Sequence, residues 1–416
     1  MNVLKISFAC LFVLLFSSCS TDNDDSKKAL FAVPTIKSLA SIRSSVSVSQ
    51  SRRTNSEGKI YVADNYLFYI AKEGGVHVFD NHNPASPLNI AFINIAGVHD
   101  IAVKGNFLYA DNFIDLVVFD ISNIQNITLV RTVENAISFT PTYPTNAEFY
   151  DYNTFANDNE IITGYRLESR DFPEGNEYFV TCDATASFLS SNPGGSIGTG
   201  GSYARFQINR NALYTLDNYR LNVFNISDPV TAFYDKSIYM TQWINAGEFE
   251  TLFIQKDYLF VGATSGMHII DATDEFNPAF ISGFSHATGC DPVFVYGHYA
   301  YITVKGGSTC GAIQDQINVI DVADITNPVL VSTYFVNKPQ GLGIRNNAIY
   351  VGCGSDGLKI FNNDNPSQLV LENSYSEPIT DIIPLDSHLI TVGPNKIIQY
   401  NYGANFTLQQ ISVLNF

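Results

Sequence analysis

The sequence predicts an all-β protein: a seven-bladed β-propeller of four-stranded blades with one long insertion. Three observations carry this expectation. An apolar alternation ending in Asp or Asn recurs seven times, each copy sits among the same turn-forming residues, and no stretch sustains a helical period. The composition agrees, with 23 Tyr and 30 Phe but only 3 Met, since aromatic and β-branched side chains fit a pleated surface.

The copies occupy residues 75–80, 115–120, 220–225, 266–271, 316–321, 357–362 and 395–401, ending at Asp80, Asp120, Asn225, Asp271, Asp321, Asn362 and Asn401. Their ends lie 40, 105, 46, 50, 41 and 39 residues apart. The outlying interval equals one repeat plus an insertion. Before each copy, two short apolar runs flank a tight turn, such as Asp64-Asn65, Gly105-Asn106 or Lys256-Asp257. After several copies comes an Asx/Pro turn, at Asn83-Pro84, Asp228-Pro229, Asn277-Pro278, Asn327-Pro328 and Asn365-Pro366. A fourth apolar run follows, as at 88–95 and 329–335. Four short strands in about forty residues make a propeller blade. Blades one and seven are the weakest copies, which leaves six or eight blades as alternatives.

The recurring strand resembles the LVIVD repeat, and the resemblance extends over residues 60–416. Two longer stretches sharpen it. Cys290-Asp291-Pro292-Val293, continuing through Ala300-Tyr301-Ile302-Thr303-Val304 to Cys310, is similar to a "CDPV…AYVT…C" segment of bacterial lipoproteins with this repeat. Gly201-Ser202-Tyr203-Ala204-Arg205-Phe206 is similar to their "GSMARF" segment, with Tyr203 in place of Met. The resemblance implies a propeller and a lipoprotein address, and implies no catalytic residues.

The amino-terminal segment reads as an export signal. Lys5 precedes an apolar stretch from Ile6 to Phe16, too short for the roughly 20 residues of a spanning helix. Ser17, Ser18 and Cys19 resemble a lipobox, which implies cleavage before Cys19 and lipidation of its sulfur. Residues 1–18 are thus expected as a lipoprotein signal peptide, 19–57 as a flexible acidic and polar tether, and 58–416 as the propeller. The Asp22–Asp25 run beside the cysteine either resembles the surface-export signal of Bacteroidetes-type lipoproteins or is a plain linker. The expected address is the bacterial outer membrane, on a lipid anchor, with exposure at the cell surface. The formal charge is −17, and −18 without Lys5; such a surface repels phosphate backbones and disfavours nucleic acid as a partner.

Residues 134–202 interrupt the repeat phase between blades two and three. They carry Pro141, Pro144, Pro173 and Pro193, an acidic run from Asp151 to Glu160, and a strand-like stretch from Ile161 to Leu167. Long excursions from a repetitive ring either concentrate specific function or are tolerated arms. The cysteines beyond the signal are Cys182, Cys290, Cys310 and Cys353. Cys290 and Cys310 flank the first hairpin of blade five on one face, and in an oxidising compartment a disulfide between them is expected. A Cys182–Cys353 bond would strap the insertion to blade six.

The starts of the inner strands place His99, Asp100, Arg205, Glu250, Asp291, Gln340 and Asp381 at the mouth of the central channel. Four carboxylates there either cap their own loops or hold a ligand or a hard cation such as Ca²⁺. No Walker loop, dinucleotide fingerprint or HExxH is present. The Gly194–Gly198 stretch matches a nucleophile elbow in letters only, being Ser/Gly-rich without strand or helix. The leading functional expectation is a binding or scaffolding module in an outer-membrane assembly, with a protein or glycan partner. Capture of a carbohydrate or small ligand at the channel mouth is the second, and a hydrolase or lyase at the same place the third.

Overall fold

The computed structural model describes residues 28–53, 58–72, 74–171, 199–201, 203–239, 248–285, 292–306 and 314–416. Cys19, Cys182, Cys290, Asp291 and Cys310 lie outside them, so the lipidation site and both cysteine pairings do too.

Among the described residues, seven sheets each carry one repeat. In blade one, β3 (Gly58–Ala63), β4 (Tyr66–Ala71), β5 (Gly75–Asp80) and β6 (Leu88–Asn94) pair antiparallel in chain order. Blade two repeats this with β7 (Ile101–Lys104), β8 (Phe107–Asn112), β9 (Asp115–Asp120) and β10 (Thr128–Val133). Five further four-stranded sheets follow in the same up-and-down order to the carboxy terminus. The molecule is a β-propeller.

The repeated residues explain the repeated geometry. In blades one to six the motif's terminal Asp or Asn accepts the backbone N–H two residues on, as Ser122 to Asp120, Thr273 to Asp271, Ala323 to Asp321 and Asp364 to Asn362, each at 2.8 Å. A second Asx turn follows in the same loop, as at Asn123 and Asp324. Every third-to-fourth strand pairing then slips register at one place, from Val78/Phe79 in blade one to Gln399/Tyr400 in blade seven. A bulge of this kind bends the outer strand and sharpens its twist.

The cores lie between blades. Phe68, Val78 and Ile93 of blade one meet Ile101, Leu108 and Val117 of blade two, and each later pair of neighbours packs likewise. The first and last blades share such a layer, in which Tyr69 and Phe79 meet Ile390 and Ile397. Phe416 packs on Tyr69 with ring centroids 4.3 Å apart and the rings tilted by 33°. The Asn81 and Gln399 amides exchange hydrogen bonds of 3.0 and 2.7 Å. Side-chain packing joins the two ends; among the described residues no strand passes from one to the other.

The expected tether differs from what is found. Residues 28–53 form β1 (Lys28–Ser38), α1 (Leu39–Ser45) and β2 (Ser47–Gln50). β2 pairs with β6 and so widens blade one rather than blade seven. β1 pairs along its whole length with β12 (Glu160–Asp171) and beside β11 (Phe149–Tyr150), both in the insertion. Ala29, Phe31 and Val33 bury one face of β1 there. The apolar alternation at 29–33 is short, and its partners are more than a hundred residues away, so local sequence gives no sign of the pairing. The strand expected at 161–167 is present within β12. The insertion also ends against the ring: β13 (Thr199–Gly200) pairs with the free edge of β3.

A cleft beside the central channel

Three inner strands assemble the site. Asp111, the penultimate residue of β8, turns its buried carboxylate back on the loop before β7. One oxygen accepts the His99 and Asp100 N–H groups, each at 2.8 Å, and the other meets His99 Nδ1 at 2.9 Å. This holds Asp100 at the channel. Asp100 Oδ1 accepts the Ile101 N–H at 2.9 Å, and Oδ2 accepts the Arg205 N–H at 2.6 Å. The second bond ties blade two to the start of blade three.

Lys59, on β3, completes the cluster from blade one. Its side chain is 8% exposed, and Nζ lies 3.8 Å from Asp100 Oδ2, beyond hydrogen-bond reach. Burial pushes the Lys59 ammonium below its ordinary value, against the pull of Asp100. Burial likewise raises Asp100, against Lys59, and lowers Arg205, against Glu250 and Asp100. In each case desolvation of the charged form is the largest cause. Arg205 also donates to the Phe249 and Glu250 carbonyls at 3.2 and 3.3 Å, which joins blade three to blade four.

A cleft of about 380 Å³ opens over this cluster, between blades two and three. Its floor includes Lys59, Asp100 and Arg205; residues 137–143, the start of the insertion, form one wall. Phe139 packs between His99 and Phe113, with centroids 5.7 and 4.8 Å away. Opposite, Asp217 accepts the Tyr219 N–H at 2.9 Å and Arg220 Nε at 3.0 Å, while the Tyr219 hydroxyl reaches Glu248 at 3.1 Å. A second cavity, of about 540 Å³, lies at the first-hairpin turns of blades three to five and is lined by Phe253, Phe294 and Tyr296. It contains no comparable charge cluster.

Not all the residues expected at the mouth converge. Asp100, Arg205 and Glu250 do, and Asp381 lies close enough to act on Lys59. Asp381 also accepts the Ile382 N–H at 2.9 Å, the bond Asp100 makes to Ile101. Gly201 packs so tightly on Asp381 that a β-carbon would overlap its carboxylate. Gln340 stands apart, its carbonyl accepting Thr303 Oγ1 at 2.9 Å and its side chain beside Gly354. Among the described residues no group of His, Cys, Asp and Glu is arranged to hold a metal ion. Cys353 is buried, with its thiol 3.7 Å from the Val351 carbonyl. Sequence reading missed Lys59 and Asp111. A lone lysine at the start of an otherwise apolar inner strand was the available signal for the first.

The fold and the cleft define a β-propeller of four-stranded blades with a charged cleft. The LVIVD repeat model matches residues 97–135 and 290–336, each stretch spanning one whole blade, so the chain carries LVIVD repeats. A Lactobacillus plantarum protein superposes with a TM-score of 0.53 at 12% identity, covering 86% of this chain and 95% of its own. Pseudomonas aeruginosa periplasmic gluconolactonase gives 0.53 at 10%, over 86% and 96%. The computationally designed protein Ika8 gives 0.50 at 12%, over 88% and 90%. At these identities the likeness establishes the fold alone. No curated protein matches the sequence.

Proposed function

We propose that this chain is a seven-bladed propeller that acts as a binding module, held on the bacterial outer membrane by a lipidated Cys19 and serving an assembly there. The cleft between blades two and three is its recognition site. One observation carries this reading: the insertion begins as the wall of the cleft and, at Gly201, ends against Asp381. A concave, partly apolar site with a few convergent polar groups is the usual form of a ligand site. No helix among the described residues is long and apolar enough to cross a membrane, and a lipid anchor would supply the attachment.

The test places a photo-crosslinking amino acid at exposed Thr140, on the cleft wall, and at exposed Leu330, on the outer strand of blade five, in host cells. A predominant adduct from Thr140 that is absent from Leu330 is expected, in the membrane fraction. Equal adducts from both positions, or none from an intact protein, would overturn the reading. Cys19→Ala should move the protein out of that fraction; retention there would refute the anchor.

A further inference from the structure

The chemistry of the cleft also constrains what enters it, and this inference rests on the cleft being the recognition site. Lys59 Nζ carries three N–H donors, is buried, and makes no hydrogen bond among the described residues. A buried ammonium without an acceptor is costly, and a ligand oxygen would relieve that cost. Asp100 is its ion-pair partner but lies 3.8 Å away, beyond hydrogen-bond reach, and leaves the N–H donors without an acceptor.

The surrounding charge decides which oxygen. Lys59, Arg205 and Arg220 line the cleft against Asp100, Asp111, Asp217 and Glu248, and Asp381 acts on Lys59 from beside it. Carboxylates outnumber cations, so an incoming carboxylate or phosphate would be repelled. A hydroxyl is a neutral group that suits the place, since one oxygen both accepts from an ammonium and donates to a carboxylate. The wall adds an apolar requirement through Phe139 and through Tyr219, which is 48% exposed. A flat face edged with hydroxyls satisfies both conditions.

We propose that the cleft binds a neutral saccharide, with a ring hydroxyl accepting from Lys59 Nζ and the apolar face of the sugar against Phe139 and Tyr219. The cleft volume of 380 Å³ falls within the roughly 300–1,000 Å³ typical of small-ligand sites.

Calorimetric titration of the full chain with oligomers of glucose, galactose and mannose, and with oligomers of glucuronate and galacturonate, tests this. At least one neutral oligomer should bind, with the matching uronate at least about tenfold weaker. Lys59→Met should weaken the neutral sugar by about ten- to a hundredfold, the usual range for a lost charged hydrogen bond, with an unchanged circular dichroism spectrum. Tyr219→Ala, at an exposed position, supplies the same comparison should the Met variant fail to fold, and should weaken binding several-fold. Tighter binding of uronates, or a neutral sugar whose affinity neither substitution changes, would overturn the saccharide proposal while leaving the cleft as a site. A peptide crosslinked at Thr140 with no sugar bound would also overturn it. An absence of both sugar binding and any Thr140 adduct would remove the recognition site as well.

Discussion

Arg43 and Asp115 lie 72 residues apart and meet through two parallel hydrogen bonds, Nε to Oδ2 at 2.7 Å and Nη2 to Oδ1 at 2.9 Å. Asp115 is almost fully buried, and its Oδ1 also accepts the Asn135 N–H at 2.8 Å. The third guanidinium nitrogen reaches Glu134 at 2.7 Å. The pair therefore fastens the helix that follows β1 to the residues where the insertion leaves blade two. A planar guanidinium suits this two-pronged contact better than an ammonium would.

Arg43→Ala should cost about 2 kcal/mol, because it leaves a buried carboxylate with one partner fewer. Urea denaturation measures the loss, and limited proteolysis should show new cleavage within residues 28–53. Arg43→Lys should recover only part of it. Stability unchanged in the Ala variant would mean that the pair adds nothing.

Asp111→Ala should cost about 2 kcal/mol and loosen the His99–Asp100 loop, since two backbone N–H groups lose one acceptor. Asp111→Asn keeps a carbonyl oxygen and should retain more than half of that stability. Amide hydrogen exchange at residues 99–101 distinguishes the two, with fast exchange expected in the Ala variant alone.

The repeated Asx turns make an additive prediction. Asp120→Ala and Asp271→Ala should each cost about 1 kcal/mol, the net worth of one hydrogen bond. They sit in blades two and four, so the double variant should lose the sum. A marked departure from additivity in thermal unfolding would show that the blades are coupled through these loops.

Lys256 opens the first hairpin turn of blade four with φ of 56°. Left-handed backbone costs a residue with a β-carbon about 1 kcal/mol that glycine avoids. Lys256→Gly should therefore raise stability by up to about 1 kcal/mol, read as an increase in the urea midpoint.

Burial pushes the Cys353 thiol up to about 11, from an ordinary value of 9.0. The folded state then holds this proton more tightly than the unfolded chain. The stabilisation is complete below about pH 9 and is lost as pH rises towards 11. Cys353→Ala lacks the effect, so the stability difference between wild type and variant should shrink by about 2 kcal/mol between pH 8 and 11. A difference constant across that range would count against the shift.

The blades were legible because their contacts are local. A strand, its hairpin turn and its Asx loop fall within about forty residues, so one unit can be read against the next. Asp80, Asp120, Asp271 and Asp321 stood out as repeated letters before their role as backbone acceptors was visible. The amino-terminal arm was not legible for the opposite reason. Phe31 finds Phe149 as its neighbour, with ring centroids 5.3 Å apart, and no local pattern announces a partner so distant in the chain.

The sequence by itself determined the repeat, the four strands of each blade and the turns between them, because strand alternation and turn chemistry are short-range. Tertiary structure alone decided the cleft. Lys59, Asp111 and Arg205 come from three different blades, and of the three only Arg205 was marked by its place in the repeat. Closing the ring brings them to one point and removes the water around them. The orphaned ammonium and the displaced acidities that mark the site arise from that convergence and desolvation, which no single stretch of chain encodes.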